Sequence, residues 1–143
     1  MQEIDVRGVT DASAATVWAL LDDSASWPGW TPIETCEIER DAGAQGNEIR
    51  RFETGRVTVR EEIVERRPEE RLTYVLLDGL AVRNYRAEID LEAGPGGEGT
   101  AIRWHTTFDP KVPGSGWIYR RALQKATEQF VAGLCERAAS TGE

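Results

Sequence analysis

Residues 115–139 read SGWIYRRALQKATEQFVAGLCERAA, a run without proline in which, after Gly116 at its start, one glycine, Gly133, falls inside the long helical pattern. Ile118 or Tyr119, then Leu123, Ala126, Phe130 and Leu134, recur at spacings of three and four, which places them along one side of a helix. Arg120, Arg121, Lys125, Glu128, Glu136 and Arg137 fall largely on the remaining circumference. The spacing therefore predicts a helix from Ser115 to about Ala139, long enough at about 1.5 Å per residue to cross a whole domain. One apolar stripe on so long a helix needs a surface to lie on.

That surface is written upstream. From Ile33 to Phe108 the pattern is period-2 alternation, broken by turn signals at Asp41–Gly46, Gly55, Pro68-Glu69-Glu70, Asp78-Gly79 and Gly94–Gly99, which divides it into six strands. Cys36 and Ile38 share a phase; so do Val57, Val59 and Ile63; so do Tyr85, Ala87, Ile89 and Leu91; so do Ile102, Trp104, Thr106 and Phe108. The opposite phase is mostly charged, as in Arg86-x-Glu88-x-Asp90 and Arg103-x-His105, which describes an antiparallel sheet dry on one face only. The C-terminal helix is the natural cover for the dry face.

Ahead of the six strands, residues 2–10 alternate as a further strand with Ile4 and Val6 on one side. Thr10 or Asp11 then offers an N-cap to a helix whose apolar side is Val17, Leu20 and Leu21, with Trp18 beside them. Two prolines and a glycine in Trp27-Pro28-Gly29-Trp30-Thr31-Pro32 prevent a long regular helix there and turn the chain sharply. Short turns between the strands exclude a parallel α/β arrangement. The expected class is α+β, one domain over residues 1–143, with a curved antiparallel sheet of about seven strands (β-α-α-β6-α) wrapped on the long C-terminal helix. One helix about 10 Å across cannot fill such a half-barrel, so a gap is expected beneath it.

Composition narrows the partners. The chain has 40% hydrophobic and 29% charged residues, which suits a packed interior, and its net charge of −8 repels phosphate backbones and anionic surfaces. Nucleic acid is not an expected partner. No stretch approaches the roughly 20 apolar residues of a membrane span, and Met-Gln-Glu-Ile-Asp-Val has no signal-peptide character, so a cytoplasmic location is expected. Cys36 and Cys135 lie far apart with no metal-ligand spacing and read as buried small hydrophobes. With one histidine, His105, on the wet phase, neither a metal site nor a cofactor is expected. The free edges of such a sheet leave a homodimer open.

Several strings, in this order, resemble the polyketide cyclase/dehydrase branch of the START-related, pollen-allergen-like helix-grip superfamily: AATVWALLD (14–22), WPGWTP (27–32), GNEIRRF (46–52), EEIVERRPEERLTY (61–74), GLAVRNY (79–85) and GTAIRW (99–104). The resemblance spans nearly the whole chain. It implies a helix-grip fold whose cavity holds a small apolar or aromatic molecule, lipid- or polyketide-like. It carries no universal catalytic residue onto a numbered position here.

Candidate lining residues follow from the dry phases and the aromatic content: Trp27, Trp30, Phe52, Tyr74, Tyr85, Trp104, Thr106, Phe108, Trp117 and Phe130, each of which also fits as simple packing. Tyr74, Tyr85, an arginine (Arg50 or Arg51) and a glutamate (Glu61 or Glu62) are the polar groups best placed to orient a carbonyl or phenol, or to serve an aldol-type cyclisation or dehydration. Gly94–Gly99 joins two strands and reads as a hairpin turn, not a phosphate loop. Asp109–Gly116, between the last strand and the long helix, is a candidate lid. Three functions stay open: a carrier of an apolar ligand, a polyketide aromatase/cyclase or dehydratase, and a ligand-gated interaction module.

Overall fold

The computed structural model of the chain describes residues 1–141; the last two residues of the anticipated 1–143 unit lie outside the described residues. Its elements are β1 (Gln2–Thr10), α1 (Ala14–Asp22), a 3-10 turn (Ser24–Gly29), β2 (Thr35–Arg40), β3 (Ile49–Thr54), β4 (Val57–Arg67), β5 (Arg71–Asp78), β6 (Val82–Ala93), β7 (Thr100–Pro110) and α2 (Gly116–Thr141). The strands form one antiparallel sheet in the order β1-β7-β6-β5-β4-β3-β2. β1 and β2 therefore occupy opposite edges, and the segment joining them must cross the sheet. α1 and the 3-10 turn make that crossing, with Pro28 inside the turn, so the second helical piece expected from sequence is a single 3-10 element.

The alternation read from sequence matches the faces. Ile4, Ile63, Tyr74, Ala87, Ile89, Ile102, Trp104 and Phe108 are all buried on the concave side. Cross-strand pairs of opposite charge line the other face, Arg103 to Asp5, Arg71 to Asp90 and Arg60 to Glu39, and His105 Nε2 is hydrogen-bonded to Glu3 Oε2 at 2.6 Å. Such exposed pairs contribute little stability each, and they keep one side of the sheet wet.

The N-cap of α1 is Ser13, not Thr10 or Asp11, and its Oγ accepts from the Thr16 amide at 3.2 Å. Thr10 cannot cap because it is still in the ladder, paired with Thr100. Its hydroxyl instead donates to the Cys135 carbonyl at 3.0 Å, tying the end of β1 to α2. Cys36 and Cys135 are free thiols and only half buried, since neither strand β2 at the sheet edge nor the flank of α2 is fully covered. Desolvation raises both thiol pKa values, which keeps them protonated and poorly nucleophilic.

Two glycines set how close α2 comes. A Cβ on Gly8 of β1 would lie 2.6 Å from Val131 Cγ1, and one on Gly133 would lie 1.8 Å from the Trp30 carbonyl oxygen. Val131, Leu134 and Ala138 are buried at this contact. The N-terminal half of α2 is different: Tyr119, Leu123, Ala126 and Phe130 are only half buried. That half overhangs the sheet without filling the space beneath it.

Candidate functional site

Beneath the overhang is a cavity of about 410 Å³. α2 supplies Tyr119, Leu123, Ala126 and Phe130 to its roof; β3 and β4 supply Phe52, Val57, Val59 and Glu61; β5 and the turn after it supply Tyr74, Leu76 and Leu80; β6 supplies Tyr85; and Trp27, Pro32 and Ile33 close one end. The walls are mainly aliphatic and aromatic; Glu61, Tyr74, Tyr85 and Thr54 bring polar groups from the sheet side, and Thr127 and Gln129 bring them from α2.

Trp27 organises that wall. It is 1% exposed and packs against Trp30 (5.0 Å between centroids), Phe52 (5.4 Å), Trp104 (5.5 Å) and Tyr74 (6.0 Å), in tilted, stacked or edge-on geometries that suit aromatic quadrupoles. Its indole N–H donates to the Leu21 carbonyl, which fixes the ring to the end of α1.

Inside the aromatic cluster lies a fully buried guanidinium. Arg50 Cζ sits 3.9 Å from the Trp27 ring centroid, 4.6 Å from Phe52 and 4.8 Å from Tyr74. Faces of aromatic rings attract a cation and replace part of its hydration. Arg50 stands opposite Glu61 in the β3–β4 ladder. Its Nε donates to Glu61 Oε1 at 3.0 Å, its Nη2 is also 3.0 Å from that oxygen, and its Nη1 donates to Ser24 Oγ at 3.1 Å. Nη2 lies close to the carboxylate but makes no hydrogen bond of good geometry, so the contact is chiefly electrostatic. Ser24 in turn donates to Glu48, Arg66 Nη2 donates to Glu48 at 2.9 Å, and Arg66 Nε donates to Asp22 at 2.8 Å. A single relay of charges thus runs from the surface end of α1 to the cavity wall.

Glu61 is the member that reaches the cavity. Burial pushes its carboxyl above the usual carboxylate range, and the charge and hydrogen bond of Arg50 oppose that shift. Tyr74 and Tyr85 flank it. Desolvation holds both phenols well above their ordinary value, with the nearby Glu61 charge acting in the same direction. Both rings are therefore un-ionised donors at neutral pH. Above about pH 10 the unfolded chain releases these protons while the folded chain keeps them, so stability falls as pH rises through that region. A Tyr74→Phe/Tyr85→Phe variant should lose less stability than the parent between about pH 9 and pH 11. Urea midpoints at the two pH values check this, and equal losses would count against it.

The residues expected from sequence divide. Trp27, Phe52, Tyr74, Tyr85 and Phe130 line the cavity. Trp30, Trp104, Thr106 and Phe108 are buried in the layer behind and contribute nothing to its lining, because neighbouring side chains already cover them. Trp117 is 61% exposed at the start of α2 and does not line the cavity, so its expected place in the wall is corrected to the surface. Of the open pairs, Arg50 and Glu61 are the inward members; Arg51 bonds Glu37 and Glu62 accepts from Asn47, both outside. The Asp109–Gly116 segment contributes no lining residue: β7 runs on through Pro110, and the Lys111 amide donates to the Ala81 carbonyl at 3.0 Å.

Sequence reasoning did not single out Val57, Val59, Leu76, Leu80, Tyr119, Leu123 or Ala126 as lining. Most carried the apolar period, but nothing in the period separates a wall of a cavity from a packed core. Among the described residues no group of three or more His, Cys, Asp and Glu side chains is placed to hold a metal, and no helix is long and apolar enough to cross a membrane.

A family model described as polyketide cyclase / dehydrase and lipid transport matches residues 1–139. Among curated proteins no sequence matches the chain. Solved structures with the same fold include the protein XoxI from Bacillus cereus, at 19% identity with a TM-score of 0.83, covering 100% of this chain and 99% of that one. A START superfamily protein from Mycobacterium smegmatis aligns at 15% identity and TM-score 0.81, over 97% and 98% of the two chains. The di-domain ARO/CYC StfQ of the steffimycin biosynthetic pathway aligns at 14% identity and TM-score 0.80, over 97% of this chain and 51% of its own length. At these identities the likeness is one of fold: the curved seven-stranded sheet with its long C-terminal helix is the START-type helix grip.

Proposed function

We propose, since the chain belongs to the polyketide cyclase/dehydrase and lipid transport family, that it binds a small apolar or aromatic molecule in the cavity between the sheet and the N-terminal half of α2. The observation that carries this reading is the cavity itself. Its volume of about 410 Å³ falls in the range of roughly 300–1,000 Å³ typical of small-molecule sites. It combines mostly apolar walls with a few convergent polar groups, the arrangement that binds by burial and orients by hydrogen bonds.

Trp27 forms part of the wall, so tryptophan emission should report occupancy. Titration with sterols, flavonoids, polyketide-like phenols and fatty acids is expected to include compounds that change emission and raise Tm. A ligand at 100 times its Kd stabilises by about 2.7 kcal/mol. Ala126→Phe, which fills the roof, should abolish both responses while the far-UV circular dichroism is retained. A panel that leaves emission and Tm unchanged overturns the reading.

A second reading, an aromatase/cyclase or dehydratase acting in the same cavity, is favoured by one observation. A carboxylate with a raised pKa, Glu61, stands beside two phenols that keep their protons. Glu61 would take a proton from a carbon flanked by carbonyls, and a tyrosine hydroxyl would stabilise the enolate oxygen that forms. With a linear poly-β-ketone substrate, Tyr85→Phe should then slow cyclisation about 100-fold without unfolding the protein. Unchanged turnover in that variant removes the reading.

A further inference from the structure

The polar edge of the cavity has unspent bonding capacity, and among the described residues the one charged side chain that lines it is an acid. Glu61 lines the cavity and is only 7% exposed. Both Arg50 contacts fall on its Oε1, and among the described residues no side chain bonds its Oε2. The positive charge that balances Glu61 is out of a guest's reach, because Arg50 is 0% exposed and lies behind the aromatic layer. Among the described residues no cationic side chain lines the cavity. Oε2 is thus a carboxylate oxygen that faces a mainly apolar cavity without a protein donor, free to accept from a guest.

From this we infer that the cavity selects neutral molecules carrying a hydroxyl donor on an apolar body, a phenol or an alcohol whose O–H is accepted by Glu61 Oε2, and rejects the corresponding carboxylates. The inference rests on the reading that the cavity is the ligand site. A hydroxyl donates to Oε2 and can in turn accept from the hydroxyl of Tyr74 or Tyr85, so both sides of the polar edge are satisfied at once. An ether of the same shape leaves Oε2 without a donor. A carboxylate adds a second anion beside Glu61 inside a poorly hydrated space, where like charges are costly.

Three probes of near-equal size separate these cases: 2-naphthol, 2-methoxynaphthalene and 2-naphthoate, titrated near neutral pH by calorimetry and tryptophan emission. The naphthol is expected to bind roughly 10- to 100-fold more tightly than either of the others, the ratio that leaving one buried acceptor unpaired produces. Glu61→Gln keeps the shape, removes the charge and adds donors, so it should bring naphthoate to within about threefold of naphthol. Loss of naphthol binding in the cavity-filling Ala126→Phe chain places the binding in the cavity.

Equal affinities for all three probes overturn the inference and leave the cavity reading intact. Tighter binding of naphthoate than of naphthol also overturns it. Binding of none of the three overturns it together with the reading beneath it. Should Glu61→Gln fail to fold, the ranking of the three probes on the native chain decides alone.

Discussion

Replacing Gly133 by alanine is expected to destabilise the protein by about 3 kcal/mol, against the usual benefit of that change in a helix. In an exposed helix interior alanine is favoured over glycine by about 1 kcal/mol. Here the new Cβ would meet the Trp30 carbonyl oxygen at 1.8 Å and its carbon at 3.0 Å. Neither side yields readily. The Trp30 and Thr31 amides both donate to the Trp27 carbonyl, and the Trp30 ring is packed on Trp27. On the helix side Leu134 and Ala138 are fully buried. The collision therefore lifts the part of α2 that grips the sheet. A fall in Tm of about 10 °C, with a lower urea midpoint at unchanged m, is the expected result; a Tm equal to or above that of the parent would show that α2 does not approach the Trp30 backbone so closely.

Arg50→Met should have an effect of similar size by a different route. The variant keeps volume among Trp27, Phe52 and Tyr74 but leaves Glu61 buried without its cation. Removing one partner of a buried pair typically costs about 3–5 kcal/mol, whereas replacing both by apolar groups is often close to neutral. Adding Glu61→Leu should accordingly restore most of the loss, giving a large coupling in a double-mutant cycle. The single variant should also be pH-sensitive. Burial already raises the Glu61 pKa, and loss of Arg50 removes the opposing influence. Over the interval from about 4.5 upward to that raised value, the folded chain holds a proton that the unfolded chain has released, so stability falls as pH rises. The destabilisation should be smaller near pH 5 than near pH 8. Urea midpoints at both values check this, and a loss independent of pH would mean that Arg50 acts through packing alone.

The Arg50–Glu61 pair also shows how much of the site was legible beforehand. Glu61 occupies the position between Val59 and Ile63, and Arg50 the position two before Phe52, so each charge sits in the dry phase of its strand. A charged residue in a dry phase is the signal that the pair faces inward, and it selects Arg50 over Arg51 and Glu61 over Glu62. The partnership with Ser24, Glu48 and Arg66 carried no such mark, because those residues are brought together only when the 3-10 turn crosses the sheet. Trp117 shows the converse. Its size and position at the start of the helix favoured the interior, but in the first turn of α2 it is Gly116 that is buried, against Gln2 of β1, and the next residue, Trp117, is left 61% exposed.

Sequence by itself determined the order of strands and helices, the dry and wet faces of the sheet, and the long amphipathic C-terminal helix, since each depends on local periodicity and turn chemistry. Only the tertiary structure decided where the interior is packed and where it is open. Periodicity reports which way a side chain points, not how far the opposing surface stands from it. That distance is set by Gly8 and Gly133, which let one half of α2 settle onto its neighbours while the other half is held above the sheet over the Glu61 wall.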